Sequence, residues 1–286
     1  MPEPPFVSLG ELSKPATVLV EKISDAVGGV FKPYQIIRVA KAEAEADKIR
    51  AEAQILISDL QRRAMHRFLE EEGKKQANIE SITAQALPLL DENANPKNVS
   101  NDWIANFFDR ARIVSDVEMQ QLWARVLAGE ANDPGTFSRK TINLLADLGK
   151  VEAEWFTMLC GYIWNIGGLS PLIYDIFHGI YLNNGINFNV LVELEALGLI
   201  KISHPTVFSR AELLKVKEVT YFGRSVTLDL KTSKHNVIPT GHVILTVPGK
   251  ELAGYCGSQP VPGFYEYIVE QWRSEAFRQH INCVEE

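Results

Sequence analysis

The stretch Asn101–Asp133, NDWIANFFDRARIVSDVEMQQLWARVLAGEAND, decides the fold class. Trp103, Ile104, Phe107, Phe108 and Ala111 recur three and four residues apart, which puts them on one face of a helix that Ser100 is suited to cap. Ser115, followed three residues later by Glu118, has the spacing of a capping box. It opens a second helix with Met119, Leu122, Trp123, Val126 and Leu127 inward and Gly129 at its end. Pro134-Gly135 turns the chain. Ser138 starts a third helix carrying Ile142, Leu144, Leu145 and Leu148, and a fourth is expected from about Val151 to Tyr162. Apolar stripes joined by short connections make a helical bundle. Its tryptophans, at helical spacing among other apolar residues, read as core rather than as a base-stacking platform.

Upstream, Asp91–Asn98 (DENANPKN) is a loop by composition and separates the bundle from a longer helical region. From Tyr34 to Glu72 there is neither proline nor glycine, and KAEAEADKIRAEAQ is built from strong helix formers. A helix of roughly 40 residues would span about 60 Å. Its seam runs through Ile49, Ala53, Leu56 and Leu60. A seam this thin packs on another helix, in the same chain or in a second copy. Lys74 to about Leu90 continues helical after Gly73, with Ile79, Ile82, Ala86 and Leu89 three and four residues apart. Nearer the N-terminus an extended arm precedes a short helix started by Ser13 and Pro15. Its stripe of Leu19, Ile23, Val27 and Val30 suits core packing or, over residues 15–31, a membrane surface.

Downstream, Trp155–Tyr174 carries no charge, but Asn165, Gly167, Gly168 and Pro171 interrupt it. That predicts a buried helix, a turn and a new element rather than a membrane span. Asn189 is placed to cap a helix through VLVELEAL to Gly198, and Leu199–Ser203 then reads as a strand. VTYFG and SVTLDL flank Arg224 and a glycine turn, HVILTV is another strand, and helices restart at Pro248 and Pro262. Helix, strand, hairpin, strand, helix is the order of a winged-helix-like module. The expected fold class is mainly α with a small α+β C-terminal part: an arm and amphipathic helix (1–33), a long helical, coiled-coil-like region (34–98), a helical bundle (99–185) and a winged-helix-like module (186–286).

The chain has 286 residues, 46% of them apolar, enough for two cores, and a formal charge of -7 that disfavours bulk nucleic-acid affinity. The charge is uneven: residues 201–250 carry 8 basic and 3 acidic side chains. Lys201, Arg210, Lys215, Lys217, Arg224, Lys231 and Lys234 therefore form the candidate anion-binding wing. The helix that would enter a DNA groove has Glu193 and Glu195 and neither Lys nor Arg, so phosphates would repel it. Cys160, Cys256 and Cys283 are too scattered for a disulfide framework or a zinc site, and Cys160 reads as a small buried hydrophobe. No nucleotide-binding, metalloprotease or serine-hydrolase motif is present, and His178 three residues after Asp175 reads as a satisfied polar pair. No catalytic residue, metal or cofactor is expected. The expected compartment is the cytoplasm, with the periphery of the inner membrane as the alternative.

Asn101–Phe156, with WARVLAGE (Trp123–Glu130) as its most specific part, resembles an uncharacterised bacterial family of unknown function. Through SDVEMQQLWARVLAGEANDP and the later LADLGKVEAEWF it is similar, more distantly, to the abortive-infection alpha family of phage-defence proteins. The likeness continues into Glu193–Ile200. AEAEADKIRAEAQ also resembles the helices that follow SPFH domains in stomatin- and flotillin-like scaffolds. These resemblances imply a role in bacterial immunity or stress and carry over no catalytic residue. The expected function is thus a non-enzymatic, defence-associated protein. Its long N-terminal helix would mediate self-assembly or partner binding, and its C-terminal half would sense or dock a ligand. The other readings are a nucleic-acid-binding regulator using the basic wing, and a membrane-associated scaffold or disruptor using the N-terminal helices.

Overall fold

The computed structural model describes residues 12–28 and 59–285. The N-terminal arm, the AEAEADKIRAEAQ run and the seam residues Ile49, Ala53 and Leu56 lie outside the described residues. The chain divides into two compact units, Met1–Ala146 and Asp147–Glu286. The sequence reading places boundaries at 33, 98 and 185.

In the first unit, α1 (Lys14–Val27) starts where the Ser13 side chain accepts a hydrogen bond from the Ala16 N–H. It buries Ala16, Leu19, Val20 and Ile23 and packs on α3 (Asn101–Ala111), which buries Trp103, Ile104, Phe107, Phe108 and Ala111. Leu19 and Ile23 of the stripe that suited a membrane surface are therefore buried within the unit and Val27 is half-buried, while Val30 lies outside the described residues. Ser100 precedes α3 as expected, but its hydroxyl makes no capping bond.

Between them in sequence, α2 is described over Asp59–Ala86 and continues through Gly73, as read. One helical glycine costs only about 1 kcal/mol, which neighbouring turns readily offset. Leu60, the described member of the expected seam, lies on α2 and is 67% exposed. Burial along α2 begins at Asn78, where it packs on α4 (Val117–Asn132).

The cap of α4 falls on Asp116, whose carboxylate accepts from the N–H groups of Glu118 and Met119, both at 3.0 Å. The expected cap, Ser115, is engaged elsewhere: its hydroxyl accepts from the Asn78 side chain at 3.2 Å. Nor does α4 stop at Gly129. It runs on to Asn132, whose side chain accepts from the Asp91 N–H and donates to the Leu89 carbonyl. A last helix, α5 (Arg139–Asp147), begins beside Ser138 as read, with the Thr141 N–H donating to the Ser138 hydroxyl.

The second unit opens with α6 (Lys150–Cys160) and then a hairpin, β1 (Ile163–Asn165) and β2 (Leu169–Pro171), turned at Gly167-Gly168. The uncharged stretch from Trp155 is thus a helix end and a hairpin. Among the described residues no helix is long and apolar enough to cross a membrane. Two helices follow, α7 (Gly179–Leu182) and α8 (Phe188–Ala196). The cap of α8 is Asn187, not Asn189: its side chain accepts from the Val190 N–H at 3.1 Å.

The remaining strands are β3 (Ile200–Ile202), β4 (Phe208–Leu213), β5 (Val216–Tyr221), β6 (Arg224–Leu230), β7 (Asn236–Gly241), β8 (Val243–Leu245) and, at the C-terminus, β9 (Ile281–Glu285). Helices α9 (Val247–Ala253) and α10 (Phe264–Arg273) lie between β8 and β9. A five-stranded antiparallel sheet has the order β2-β1-β5-β6-β9, while β3 pairs β8 and β4 pairs β7. The β1–β2 hairpin, read from sequence as part of the bundle, is therefore one edge of the C-terminal sheet. Trp164 of β1 stacks on Tyr221 and Tyr265 and meets Trp272 edge-on at 4.9 Å, so Trp103, Trp123, Trp164 and Trp272 are core, while Trp155 is half-buried. Gly241 adopts φ +97°, and a Cβ there would run into the Ile173 carbonyl, which instead accepts from the His242 N–H at 2.8 Å. The chain is mainly helical, with its strands in the C-terminal part.

Candidate ligand-docking face of the second unit

The seven cations read as one basic wing separate into distinct roles. Arg224 begins β6 and is committed: its guanidinium bonds Glu266 at 2.7 Å and lies 3.3 Å from the centre of the Tyr265 ring. The pair holds the Arg224 pKa up and the Glu266 pKa down, in each case first through their shared hydrogen bond. Lys201, Lys215, Lys231 and Lys234 are exposed on separate strands and loops, as a solvated surface would have them.

Arg210 and Lys217 behave differently. Side chains alternate along a strand, so Lys217 shares its face of β5 with the buried Val219 and Tyr221. Arg210, on β4, is half-buried as well. Both reach the turn of the β1–β2 hairpin. The Arg210 guanidinium donates to the Ser170 hydroxyl at 3.0 Å and lies 3.0 Å from where a Gly168 side chain would begin. Lys217 Nζ lies 3.7 Å from the equivalent point on Gly167. Two glycines, at φ +68° and +147°, make the turn and leave room for both cations. Among the described residues neither cation has a carboxylate partner.

Two half-buried cations thus meet adjacent residues of one turn, where a bound anion would pair with both. The Gly-Gly pair was visible in the sequence only as an interruption of an apolar run, and its partners lie 40 or more positions away along the chain.

Beside the same hairpin is a cavity of about 310 Å³ lined by Cys160, Asn165, Leu169, Phe222, Gly254 and Gly257, among others. The Asn165 side chain, which accepts from the Gly168 N–H at 2.8 Å, sits between cavity and turn in the chain. Asp175 and His178 form no catalytic pair. Asp175 accepts from the Phe177 N–H and His178 Nδ1 from the Ile180 N–H, so each fixes a local turn. Among the described residues no group of three or more His, Cys, Asp or Glu is arranged to hold a metal ion.

The family model described as "Protein of unknown function (DUF2806)" matches residues 62–269. The chain belongs to that family. No curated protein and no solved structure matches the chain. The DUF2806 match runs from α2 into α10 and includes Arg210, Lys217, Cys160 and Cys256, while Leu60 lies just before it. It agrees with the resemblance of Asn101–Phe156 to a family of unknown function.

Proposed function

We propose that this DUF2806 protein is a non-enzymatic assembly and docking protein. Its second unit, which contains a winged-helix-like module over residues 186–286, holds an anionic ligand at the Arg210–Lys217 pair, and its long N-terminal helix joins copies of the chain. The observation that carries the reading is the convergence of two half-buried cations on Gly167-Gly168 with no carboxylate beside them among the described residues. The winged-helix reading is supported by the order α6, α7, α8, β3, β8, in which β3 and β8 pair and β4 and β7 between them form a second pair, while β5 and β6 belong to the five-stranded sheet.

The ligand does not enter along α8 as DNA would along a recognition helix. Glu193 on α8 is exposed, and Glu195 accepts from the Ile202 N–H at 2.7 Å. Phe188 and Val192 of the same helix are 45% and 40% exposed, a surface suited to protein rather than to phosphate. A part in phage defence rests on the resemblance to the abortive-infection alpha family and is the setting we propose for this docking activity.

The test is titration calorimetry of the full chain with inorganic pyrophosphate and, separately, with a short single-stranded oligonucleotide. Hydrogen bonds to charged groups contribute about 1.5–3 kcal/mol, so replacing Arg210 or Lys217 with Glu should weaken binding roughly tenfold or more. The same change at Lys234 should leave it nearly unaltered. Equal binding by all three variants would remove the site. Binding of the oligonucleotide alone, with a steep salt dependence, would favour the nucleic-acid regulator.

A further inference from the structure

The 310 Å³ cavity lies on the face of the five-stranded sheet opposite to Arg210 and Lys217. Trp164 is fully buried, so Asn165, the next residue of β1, points to the other face, and its partner on β5, Thr220, points there with it. Both line the cavity, together with Ile163 and Leu169 of the β1–β2 hairpin. Lys217 is three residues from Thr220 along β5 and so faces the other way.

Small-molecule sites run from about 300 to 1,000 Å³, so a cavity of this size suits a single ring system. None of the described residues lining it is charged. The Asn165 side-chain carbonyl accepts from the Gly168 N–H at 2.8 Å, which leaves its amide N–H groups as donors. The Thr220 hydroxyl, beside it, has no partner among the described residues. After α9 the chain adds a wall without bulk: Gly254 has open space where a side chain would begin, and Gly257 adopts φ +80°.

Phe222 completes the lining and is out of place in every other respect. With Gly223 it forms the two-residue turn between β5 and β6, at φ +43° and +83°. The first position of such a turn favours Asn or Gly, because a bulky side chain is strained there. The turn gains nothing from a phenylalanine. The core gains little, since the ring is 44% exposed and meets Tyr221 edge-on at 4.9 Å. Strained positions of this kind persist where function uses them.

We propose that this cavity binds an uncharged, planar heteroaromatic ring of nucleobase size, stacked on Phe222 and hydrogen-bonded by Asn165 and Thr220. A flat π-system stacks on an aromatic side chain, and an amide donor beside a hydroxyl matches the carbonyl and ring-nitrogen edge of a base. A charged ligand would find no counter-ion in this lining and belongs to the cation pair on the other face.

The experiment is titration calorimetry of the full chain with uracil and, in parallel, with dihydrouracil. The two share hydrogen-bonding groups, but only uracil is aromatic. Uracil should bind, and dihydrouracil should bind at least about fivefold more weakly. Phe222→Asn removes the ring and gives the turn a residue it favours, so it should weaken uracil binding by a similar factor without lowering the thermal midpoint of unfolding. A ring kept for packing would do the reverse. Thr220→Val keeps the shape of the side chain and should weaken uracil binding roughly twofold to tenfold, which carries the test if Phe222→Asn fails to fold. Arg210→Glu should leave uracil binding unaltered, so this site and the anion site stand or fall separately. The proposal is overturned if the wild type binds neither compound at millimolar concentration, or if dihydrouracil binds as well as uracil. It is equally overturned if Arg210→Glu abolishes uracil binding, or if a folded Phe222→Asn or Thr220→Val variant binds uracil as tightly as the wild type.

Discussion

Glu130 ends the stretch WARVLAGE and is 3% exposed. Its two carboxylate oxygens accept from the N–H groups of Gly135, at 2.8 Å, and Phe137, at 2.9 Å, so one side chain fixes the turn after α4. That turn in turn presents the Phe137 carbonyl to the Trp103 indole N–H at 2.8 Å. Loss of a buried charged acceptor leaves its donors unpaired, which costs about 3 kcal/mol. Glu130→Ala should therefore lower the urea midpoint of unfolding markedly with an unchanged slope, whereas Glu130→Gln, retaining one acceptor, should lose about half as much. Equal midpoints for wild type and the alanine variant would mean that the turn is held by other groups. The sequence marked Pro134-Gly135 as the turn but gave no sign that a glutamate within a helix would hold it. A carboxylate facing inward has the same spacing as one facing water.

Among the elements, the helices of the first unit were legible because their determinants lie within one or two turns: Ser13 and Ser138 start helices as read, and the apolar faces of α1 and α3 are the buried ones. The misreadings share a cause. Ser115 and Gly129 had the right residue types for a cap and a stop, but a long-range bond to Asn78 and the anchoring of Asn132 by the chain at Leu89–Asp91 outweigh local preference. In α2 the local signal and the packing part ways. Leu60, Met65, Phe68 and Leu69 are 67%, 57%, 56% and 50% exposed, whereas Ile79, Ile82 and Ala86 further along are buried. Leu60, Ala64 and Phe68 repeat at four residues, extending the Ile49, Ala53, Leu56 stripe, and no described residue covers them. Under the proposed self-assembly, light scattering on a sizing column should give a discrete oligomer for the full chain. Leu60→Asp with Phe68→Asp should shift it to the monomer mass without lowering helix content, because neither side chain is part of a described core. A wild-type monomer would remove self-assembly through this face.

For the molecule as a whole, the least legible feature was the sheet of the second unit. Its pairings join Asn165 to Thr220 and Thr227 to Glu285, and no local pattern specifies partners that distant. The β5–β6 hairpin was readable because its turn is local. The Arg210–Lys217 pair was hidden for the same reason, since it depends on that long-range closure. The sheet also brings tyrosines into positions where their hydroxyls bond the backbone: Tyr221 donates to the Gly161 carbonyl and accepts from the Val261 N–H, both at 2.7 Å, and Tyr162 donates to the Ile180 carbonyl at 2.9 Å. Burial is the main cause that pushes both phenols from the usual value near 10 up to about 12, and it also raises Tyr174 and Tyr181. A raised phenol pKa means that the unfolded chain releases its proton first. The stabilisation is complete below about pH 10 and is lost as the pH climbs through 12. The second unit should thus resist alkali up to about pH 10 and unfold between there and pH 12. Phenolate absorbance from these tyrosines should rise together with the loss of near-ultraviolet circular dichroism. Smooth ionisation centred near pH 10 with the dichroism intact would show that the phenols are open to solvent and that this network does not hold the sheet.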